Sequence, residues 1–295
     1  MSLLFSVLIW GTNFVVLKAA LPAMHTQALN LLRILAAFIA LSSLHVWSSR
    51  RSKTGVFDAL KLDPWRVIAT GLLGYTVYQV AFIVGLSNTL AGSAALIMAS
   101  APIWTAVGSA LLRIERLSAA AWGGLFVSLA GTAWIILSGS KVDLGTDVLF
   151  GNLVMLLAAM LWAAYTTLNR PLLAHIPAVA LTFYGVFFSI LPLTVISWPY
   201  LAGVAWAEVS LVIWVAIAFS GAFSTGLTVV LWNDAVRQIG PSRTAVFSYL
   251  VPVVALITGI TFLGEHLVLG QVVGGTLVIS GLLIVRRAGR KKATA

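Results

Sequence analysis

Long apolar runs separated by short polar stretches fill this chain from end to end. An α-helix needs about 20 mostly apolar residues to cross the hydrocarbon core of a bilayer. Membrane strands would alternate apolar and polar residues, and runs such as Leu153 to Leu161 do not. The pattern predicts ten transmembrane helices, at residues 2–21, 27–47, 65–86, 91–112, 119–138, 148–169, 176–198, 209–232, 243–263 and 268–286. The first run is expected to be retained in the mature protein.

Composition supports an all-α membrane protein. Of the 295 residues, 60% are hydrophobic and 9% are charged, whereas soluble domains carry about 25% charged residues. A water-soluble fold could not hide so much apolar surface, and lipid removes that problem. A net charge of +10 would suggest nucleic-acid binding in a soluble protein. We expect none, because no basic segment alternates with stacking aromatic residues.

The distribution of basic residues predicts the orientation. Fifteen of the 18 lysines and arginines fall on the side of the membrane that the two termini share under the ten-span scheme. The opposite side has Lys18 and Lys141, and Arg33 lies within a span. Basic loops remain cytoplasmic. Both termini are therefore predicted to be cytoplasmic, in a multi-pass protein of the bacterial plasma (inner) membrane.

The second half of the sequence echoes the first. Trp10 matches Trp162 at an offset of 152. Six pairs match at an offset of 150, namely Ala95 and Ala245, Pro102 and Pro252, Glu115 and Glu265, Leu117 and Leu267, Gly124 and Gly274, and Gly131 and Gly281. Five spans per half would give the halves opposite orientations, as in many secondary transporters. We therefore predict two inverted five-helix repeats, residues 1–142 and 143–295.

Several motifs resemble the ten-helix EamA branch of the drug/metabolite transporter superfamily. They are Leu8 to Asn13, Asn30 to Arg33, Ala94 to Pro102, Arg113 to Leu117, and Ser248 to Val253 followed by Gly264 to Leu267. The resemblance covers nearly the whole chain. It implies an inverted repeat, alternating access, and efflux of amino acids or related metabolites. One departure is Val251, which stands where many members carry glutamate.

The aromatic-rich interior is similar to the aromatic amino-acid exporters of that family (the YddG type). Polar and aromatic side chains recur at helical spacing within the spans and could line a substrate cavity. The candidate substrate-binding residues of this kind are Trp10, Asn13, Tyr78, Gln79, Trp162, Tyr165, Ser224 and Tyr249. Aromatic faces would hold an apolar or aromatic side chain, and hydroxyl and amide groups would bind the polar ends. The alternative is packing between helices.

Arg33 is the basic residue that lies well inside a predicted span. All eight acidic residues map to loops or span ends, so Arg33 has no obvious partner in the membrane. A buried unpaired cation is expensive. Arg33 could bind a substrate carboxylate, cap backbone carbonyls, or extend outward to the interface. These three alternatives remain open at the level of sequence.

Two prolines occupy equivalent positions in the two halves. Pro102 and Pro252 lie in the middle of predicted spans four and nine. A proline in a helix removes a backbone hydrogen bond and kinks the helix. They are candidate hinges for a rocking motion, or static bends.

Other functions are less well supported by the sequence. An enzyme would need a nucleophile, paired acids or metal ligands, but the chain has no cysteine and its four histidines lie at span ends or in loops. No metal or cofactor is expected. A channel, a scaffold, or a transporter of drugs, sugars or nucleotide-sugars remain alternatives. No acid or histidine is evident in mid-span, which favours facilitated movement or exchange over proton coupling. The oligomeric state is left open.

Overall fold

Helices account for nearly all of the chain that can be described. The computed structural model describes residues 2–52, 55–89, 94, 97–115, 117–139, 146–254, 257 and 269–291. We number the helices α1 (Ser2–Ala20), α2 (Thr26–Ser52), α3 (Asp58–Leu62), α4 (Pro64–Ser87), α5 (Ala101–Leu111), α6 (Ala119–Gly139), α7 (Thr146–Leu172), α8 (Ala178–Leu201), α9 (Leu211–Ile239), α10 (Pro241–Ala245) and α11 (Leu269–Lys291). Short 3₁₀ turns cover Leu21–Ala23, Trp206–Glu208 and Val246–Leu250.

Six helices in the described ranges are long and apolar enough to cross a membrane. They are Ser2–Ala23, Thr26–Ser52, Pro64–Ser87, Leu149–Leu172, Ala178–Leu201 and Leu211–Ile239. Each coincides with a predicted span. Two shorter apolar helices, Ala101–Leu111 and Val272–Val285, lie within predicted spans four and ten. Parts of predicted spans four and nine fall outside the described residues, so the count of ten stays a prediction.

Two of the long helices contain a π-helical segment. Leu73–Val77 interrupts α4, and Phe219–Leu227 interrupts α9. A π-helix bonds each N–H five residues back instead of four, so it rotates the side chains that follow relative to those that precede it. Such segments are frequent at functional sites. Ser224 and Thr225 of the second segment line the interior cavity, and so do Tyr78 and Gln79, which directly follow the first segment.

The α6–α11 pair packs through small residues. A Cβ atom on Gly124 would lie 2.8 Å from the carbonyl oxygen of Gly281, and one on Gly131 would lie 2.7 Å from that of Gly274. The Ser128 hydroxyl also donates to the Val278 carbonyl at 3.2 Å. Small residues and hydroxyl groups at such contacts are typical of helix association in membranes, where apolar burial adds little.

Large apolar side chains cover the outside of the helices. Ile39, Leu191 and Leu211 are 69%, 74% and 78% exposed. The interior, in contrast, contains many buried polar side chains, among them Asn30, Arg33, Gln79 and Asn233. This distribution is expected of helices surrounded by lipid, because a hydrocarbon solvent favours apolar groups outside and gathers polar groups within.

Candidate functional site

A cavity lies in the interior, at the meeting point of most of the long helices. Its volume is about 790 Å³ including the part open to solvent. Helices α1, α2, α4, α7 and α9 line it, together with the residues around the start of α5 and those that follow α10. The lining residues are Trp10, Asn13, Phe14, Arg33, Tyr78, Gln79, Phe82, Met98, Ala99, Ala101, Trp162, Ser224, Thr225, Val229, Ser248, Val251 and Pro252. The lining is mostly apolar with a few polar groups, which is typical of small-molecule sites.

Arg33 supplies the charged group of the cavity wall. It is only 3% exposed. Its Nε donates to the Ser220 hydroxyl at 2.7 Å, and its Nη2 donates to the Thr225 hydroxyl at 3.2 Å. Nη1 is buried without a hydrogen-bond partner among the described residues. Two neutral hydroxyl groups therefore hold the guanidinium in place, and neither of them supplies a counter-charge.

Two amide side chains belong to the same cavity wall, and each carries a buried acceptor oxygen. Asn13 and Gln79 are 5% and 6% exposed, and both line the cavity. The Oδ1 atom of Asn13 and the Oε1 atom of Gln79 are buried without partners in the part of the chain that the structure describes. A buried polar atom without a partner costs about 1–3 kcal/mol. A ligand that donates hydrogen bonds here would remove that cost.

Aromatic rings form another part of the wall. The Trp10 and Trp162 rings meet edge to face at 5.5 Å between centroids, and Tyr78 packs on Trp162 at 5.1 Å. Trp232 lies behind both tryptophans at 5.0 and 5.6 Å. The Trp10 indole N–H donates to the Ser224 carbonyl at 3.2 Å, which fixes its ring against α9. These rings offer a rigid apolar surface to a ligand side chain.

A second group of buried polar residues lies next to the aromatic wall, and we call it the tyrosine–asparagine cluster. Its members are Tyr75, Tyr165, Asn169, Thr182 and Asn233. Nδ2 of Asn233 donates to the Tyr165 hydroxyl at 2.9 Å and to the Thr182 hydroxyl at 3.0 Å. The Tyr75 and Tyr165 hydroxyls are 3.2 Å apart, and Asn169 reaches Asn233 at 3.4 Å. This cluster satisfies most of its polar groups internally.

The structure brings together most of the substrate-binding residues predicted from sequence. Seven of them line the cavity, namely Trp10, Asn13, Arg33, Tyr78, Gln79, Trp162 and Ser224. Tyr165 does not line it and belongs to the tyrosine–asparagine cluster. Tyr249 is fully buried in an apolar group with residues of α6 and α11, such as Leu125 and Val278. The roles of all these residues remain predictions.

The two predicted hinge prolines lie where regular α-helix is already interrupted. Pro102 is in the first turn of α5, which begins at Ala101 after a turn at residues 99–100. A proline costs no hydrogen bond at that position. Pro252 follows the 3₁₀ segment Val246–Leu250 and lines the cavity. Neither proline therefore bends an otherwise regular α-helix, and the hinge role stays a prediction.

Thr225 lines the cavity although helical spacing did not predict it. Ser220, Ser224 and Thr228 recur at intervals of four residues, which would place them on one face of a regular α-helix. The π segment of α9 changes that register, so Thr225 joins Ser220 at Arg33. A hydroxyl residue five positions from another, opposite a buried arginine, is the signal that could have indicated this arrangement.

Comparison with known proteins identifies what this architecture is similar to. The model of the EamA-like transporter family matches residues 1–137 and 149–287. An uncharacterized transporter of Bacillus subtilis, YyaM, is 30% identical over 217 residues, which cover 73% of this chain and 71% of that protein.

Two further relatives extend over nearly the full length. A probable terminal-alkyne amino-acid exporter of Streptantibioticus cattleyicolor is 26% identical, with 99% of this chain and 95% of that protein covered. A probable amino-acid metabolite efflux pump of Salmonella typhimurium is 27% identical, with 97% and 96% covered. A solved crystal structure superposes with a TM-score of 0.79 at 18% identity, over 98% of this chain and 97% of that one. This last likeness concerns the fold.

Proposed function

Because the chain belongs to the EamA-like transporter family of the drug/metabolite transporter superfamily, we propose that it exports amino acids, or closely related small metabolites, by alternating access. The family membership predicted from sequence is confirmed, and it makes the protein a multi-pass membrane transporter. The proposed location is the bacterial plasma membrane, with both termini in the cytoplasm. Amino acids with aromatic or other apolar side chains are the favoured substrates.

The observation that carries this proposal is a set of buried, unpaired polar atoms on side chains that line the cavity. Arg33 Nη1 is a charged donor, whereas Asn13 Oδ1 and Gln79 Oε1 are acceptors, and none has a partner among the described residues. A zwitterionic amino acid supplies the matching groups, since its carboxylate accepts and its ammonium donates. Such a ligand would thus satisfy polar groups that have no partner among the described residues.

The aromatic wall supports the preference for an apolar side chain. Trp10, Tyr78 and Trp162 present ring faces and edges to the cavity, and Phe14 packs on Phe82 with centroids 5.9 Å apart. Burial of a large apolar side chain contributes about 1.5–3 kcal/mol. A nucleotide-sugar would instead bring two phosphates to a single guanidinium, which disfavours that alternative cargo.

Several features support two related halves that move around this cavity. The matched family stretches, 1–137 and 149–287, lie on either side of the predicted seam. The π segments of α4 and α9 occupy predicted spans three and eight, which correspond under a five-helix repeat. Trp10 and Trp162, matched between the halves by sequence, are in contact across the cavity wall. Alternating access would rock one half against the other about this point.

Facilitated movement or exchange is the proposed mode of energy coupling. No acid or histidine is present among the residues that line the cavity in the described ranges. An imposed pH gradient should therefore not accelerate uptake into liposomes that contain no preloaded solute. Acceleration under those conditions would contradict this part of the proposal.

Counterflow in proteoliposomes tests the proposed function. The purified protein is reconstituted, the liposomes are preloaded with neutral, acidic or basic amino acids or with a sugar, and uptake of the labelled solute is followed. We expect saturable exchange of neutral amino acids, strongest for aromatic and large apolar ones. A channel would show no stimulation by preloading, and a scaffold would show no flux. Exchange of sugars alone would overturn the proposed substrate class.

A further inference from the structure

We infer that the π segment of α9 positions Arg33 for carboxylate recognition, with Ser220 and Thr225 as positioning residues that hold one edge of the guanidinium and leave the other edge to the substrate. This inference rests on the proposed function and deepens it. We call Arg33, Ser220 and Thr225 together the Arg33 clamp. The two hydroxyl groups and the irregular stretch of helix thus have one specific function, which is to position Arg33.

The spacing of the two hydroxyl residues requires the π segment. Ser220 and Thr225 are five residues apart, and in an α-helix such residues point about 140° away from each other. Within Phe219–Leu227, where the repeat is one residue longer, they come together on one side. The Thr225 hydroxyl also donates to the Ser220 carbonyl at 3.1 Å. A regular α-helix of the same sequence would present only one of them to Arg33.

Close approach of α2 and α9 completes the clamp. Gly221 lies within the π segment, directly after Ser220. A Cβ atom at Gly221 would collide with the Arg33 carbonyl oxygen and would lie 2.6 Å from the Ala36 Cβ atom. The absence of a side chain at Gly221 therefore lets the backbone of α2 lie against the π segment. This contact brings the Arg33 side chain within hydrogen-bonding distance of Ser220 and Thr225.

The edge of the guanidinium that Ser220 and Thr225 occupy determines what Arg33 can still bind. A guanidinium has two forks of donors that match a carboxylate, one formed by Nε and Nη2 and the other by Nη1 and Nη2. Ser220 and Thr225 occupy the first fork. Nη1 has no partner in the described part of the chain, so the second fork remains for a ligand. A planar carboxylate can accept two parallel hydrogen bonds there.

The clamp also explains why the ligand should be anionic at this end. Ser220 and Thr225 are neutral, and all ion pairs formed between described residues involve partly or fully exposed side chains away from Arg33. A buried cation without a counter-charge is unfavourable. A carboxylate removes this penalty, whereas an uncharged carboxamide of the same shape does not. Arg33 therefore selects the carboxylate end of a substrate by its charge as well as by its shape.

The test compares L-phenylalanine with L-phenylalaninamide in the full-length protein. Binding is followed by tryptophan fluorescence, which Trp10 and Trp162 report, and transport by counterflow. We expect Ser220→Ala and Thr225→Val each to raise the half-saturation concentration for phenylalanine about tenfold, because each removes a hydrogen bond to a charged group. The maximal exchange rate should change little. The preference for phenylalanine over its amide should shrink in parallel.

Two sets of variants separate positioning from general packing. Thr225→Ser keeps the hydroxyl and should restore wild-type affinity. Ser189→Ala and Thr132→Val remove equally buried hydroxyls that bond only within their own helices, to Gly185 and Ser128, and should leave affinity unchanged.

Three results would overturn the inference. The first is that Ser220→Ala and Thr225→Val bind phenylalanine with the same affinity as the control variants. The second is that Thr225→Ser loses as much affinity as Thr225→Val. The third is that the wild type binds the amide as tightly as phenylalanine. If the wild type binds no amino acid at all, the proposed function fails and the inference fails with it. If binding is saturable but insensitive to the clamp, only the inference fails.

Discussion

Two groups of buried polar residues lie side by side in this protein, and they differ in what they leave unsatisfied. In the Arg33 clamp, Arg33 carries a charge and lines the cavity, and its Nη1 atom is buried without a partner among the described residues. The tyrosine–asparagine cluster is neutral and packed, and Asn233 donates to both Tyr165 and Thr182. Unpaired groups that face a void indicate a place for a ligand. Groups that mostly satisfy one another, as in the cluster, where Asn169 Oδ1 is the atom left without a partner among the described residues, indicate a fixed part of the helix packing.

The physical reason for the difference is the cost of burial. A neutral network can offset desolvation with its own hydrogen bonds, and it then holds helices in one arrangement. A single cation cannot do so with neutral hydroxyls alone, since its Coulombic field stays uncompensated. The clamp should therefore affect substrate affinity, and the cluster should affect stability.

The largest effect is expected from Arg33→Lys. Lysine keeps the charge but has no forked donors, so it cannot hold Ser220 and Thr225 and also offer two parallel hydrogen bonds. Loss of this contact should cost about 2 kcal/mol or more, which is roughly a thirtyfold rise in the half-saturation concentration. Counterflow of a labelled neutral amino acid measures it, and a melting curve checks folding. Unchanged transport would remove the role of Arg33.

Gly221→Ala should disturb the clamp through the backbone. The new Cβ atom would meet the Arg33 carbonyl and the Ala36 side chain, and such overpacking costs about 1–3 kcal/mol of stability. Because the collision separates α2 from the π segment, affinity should fall as well. The matched control is Gly123→Ala in α6, where nothing lies within 4 Å of the added atom. Equal effects of the two substitutions on melting and affinity would contradict the prediction.

Asn233→Leu should act on stability without changing affinity. It removes the donor for Tyr165 and Thr182 and leaves their buried hydroxyls with fewer partners, at a cost of about 1–3 kcal/mol. The melting temperature in detergent should fall, while the half-saturation concentration of the remaining folded protein should stay near that of the wild type. A large loss of affinity in a well-folded variant would show that the cluster contributes to binding.

The smallest effect is expected from Tyr75→Phe. The Tyr75 hydroxyl is 3.2 Å from that of Tyr165, and loss of one such neutral hydrogen bond costs about 1 kcal/mol. Tyr165 keeps its bond from Asn233, so the cluster should remain intact. Melting curves would detect the shift. No change in transport kinetics is expected, and a marked change would place Tyr75 with the binding residues.

The hydrophobic pattern located the long helices, and the polar and aromatic residues within them included seven of the residues that line the cavity. Trp10, Tyr78 and Trp162 were predicted because they are aromatic residues within spans. Their polar N–H and O–H groups find no hydrogen-bond partner in lipid, so these side chains are expected to face the interior. Arg33 was predicted because burial of a cation so deep in a span costs free energy, which indicates a functional role. These inferences depend on composition and depth, which a single sequence carries.

The positions of other residues at the site depend on departures from α-helical geometry that cannot be predicted from the sequence pattern. Tyr75 precedes Tyr78 and Gln79 by three and four residues, a spacing that would put all three on one face of a regular α-helix. The π segment Leu73–Val77 breaks that register, and Tyr75 contacts Tyr165 in the cluster instead. The same effect in α9 brought Thr225 to the clamp. Periodicity arguments assume one repeat throughout a helix, so they fail where the repeat changes.

Tyr249 shows a different limit. Periodicity identifies a face of a helix but not the element that the face meets. Tyr249 is buried against residues of α6 and α11, whereas its neighbour Ser248 lines the cavity. The arrangement of the α6–α11 pair depends on close contacts between small residues, such as Gly131 and Gly274, and a pattern of apolar runs does not specify those contacts.

The most direct measurement is a structure of the protein with a neutral amino acid bound, determined with the solute that gives the strongest counterflow. The account predicts the ligand in the cavity, with a carboxylate oxygen within about 3.2 Å of Arg33 Nη1 and the bonds to Ser220 and Thr225 kept. A ligand elsewhere, or one whose carboxylate is directed away from Arg33, would contradict it.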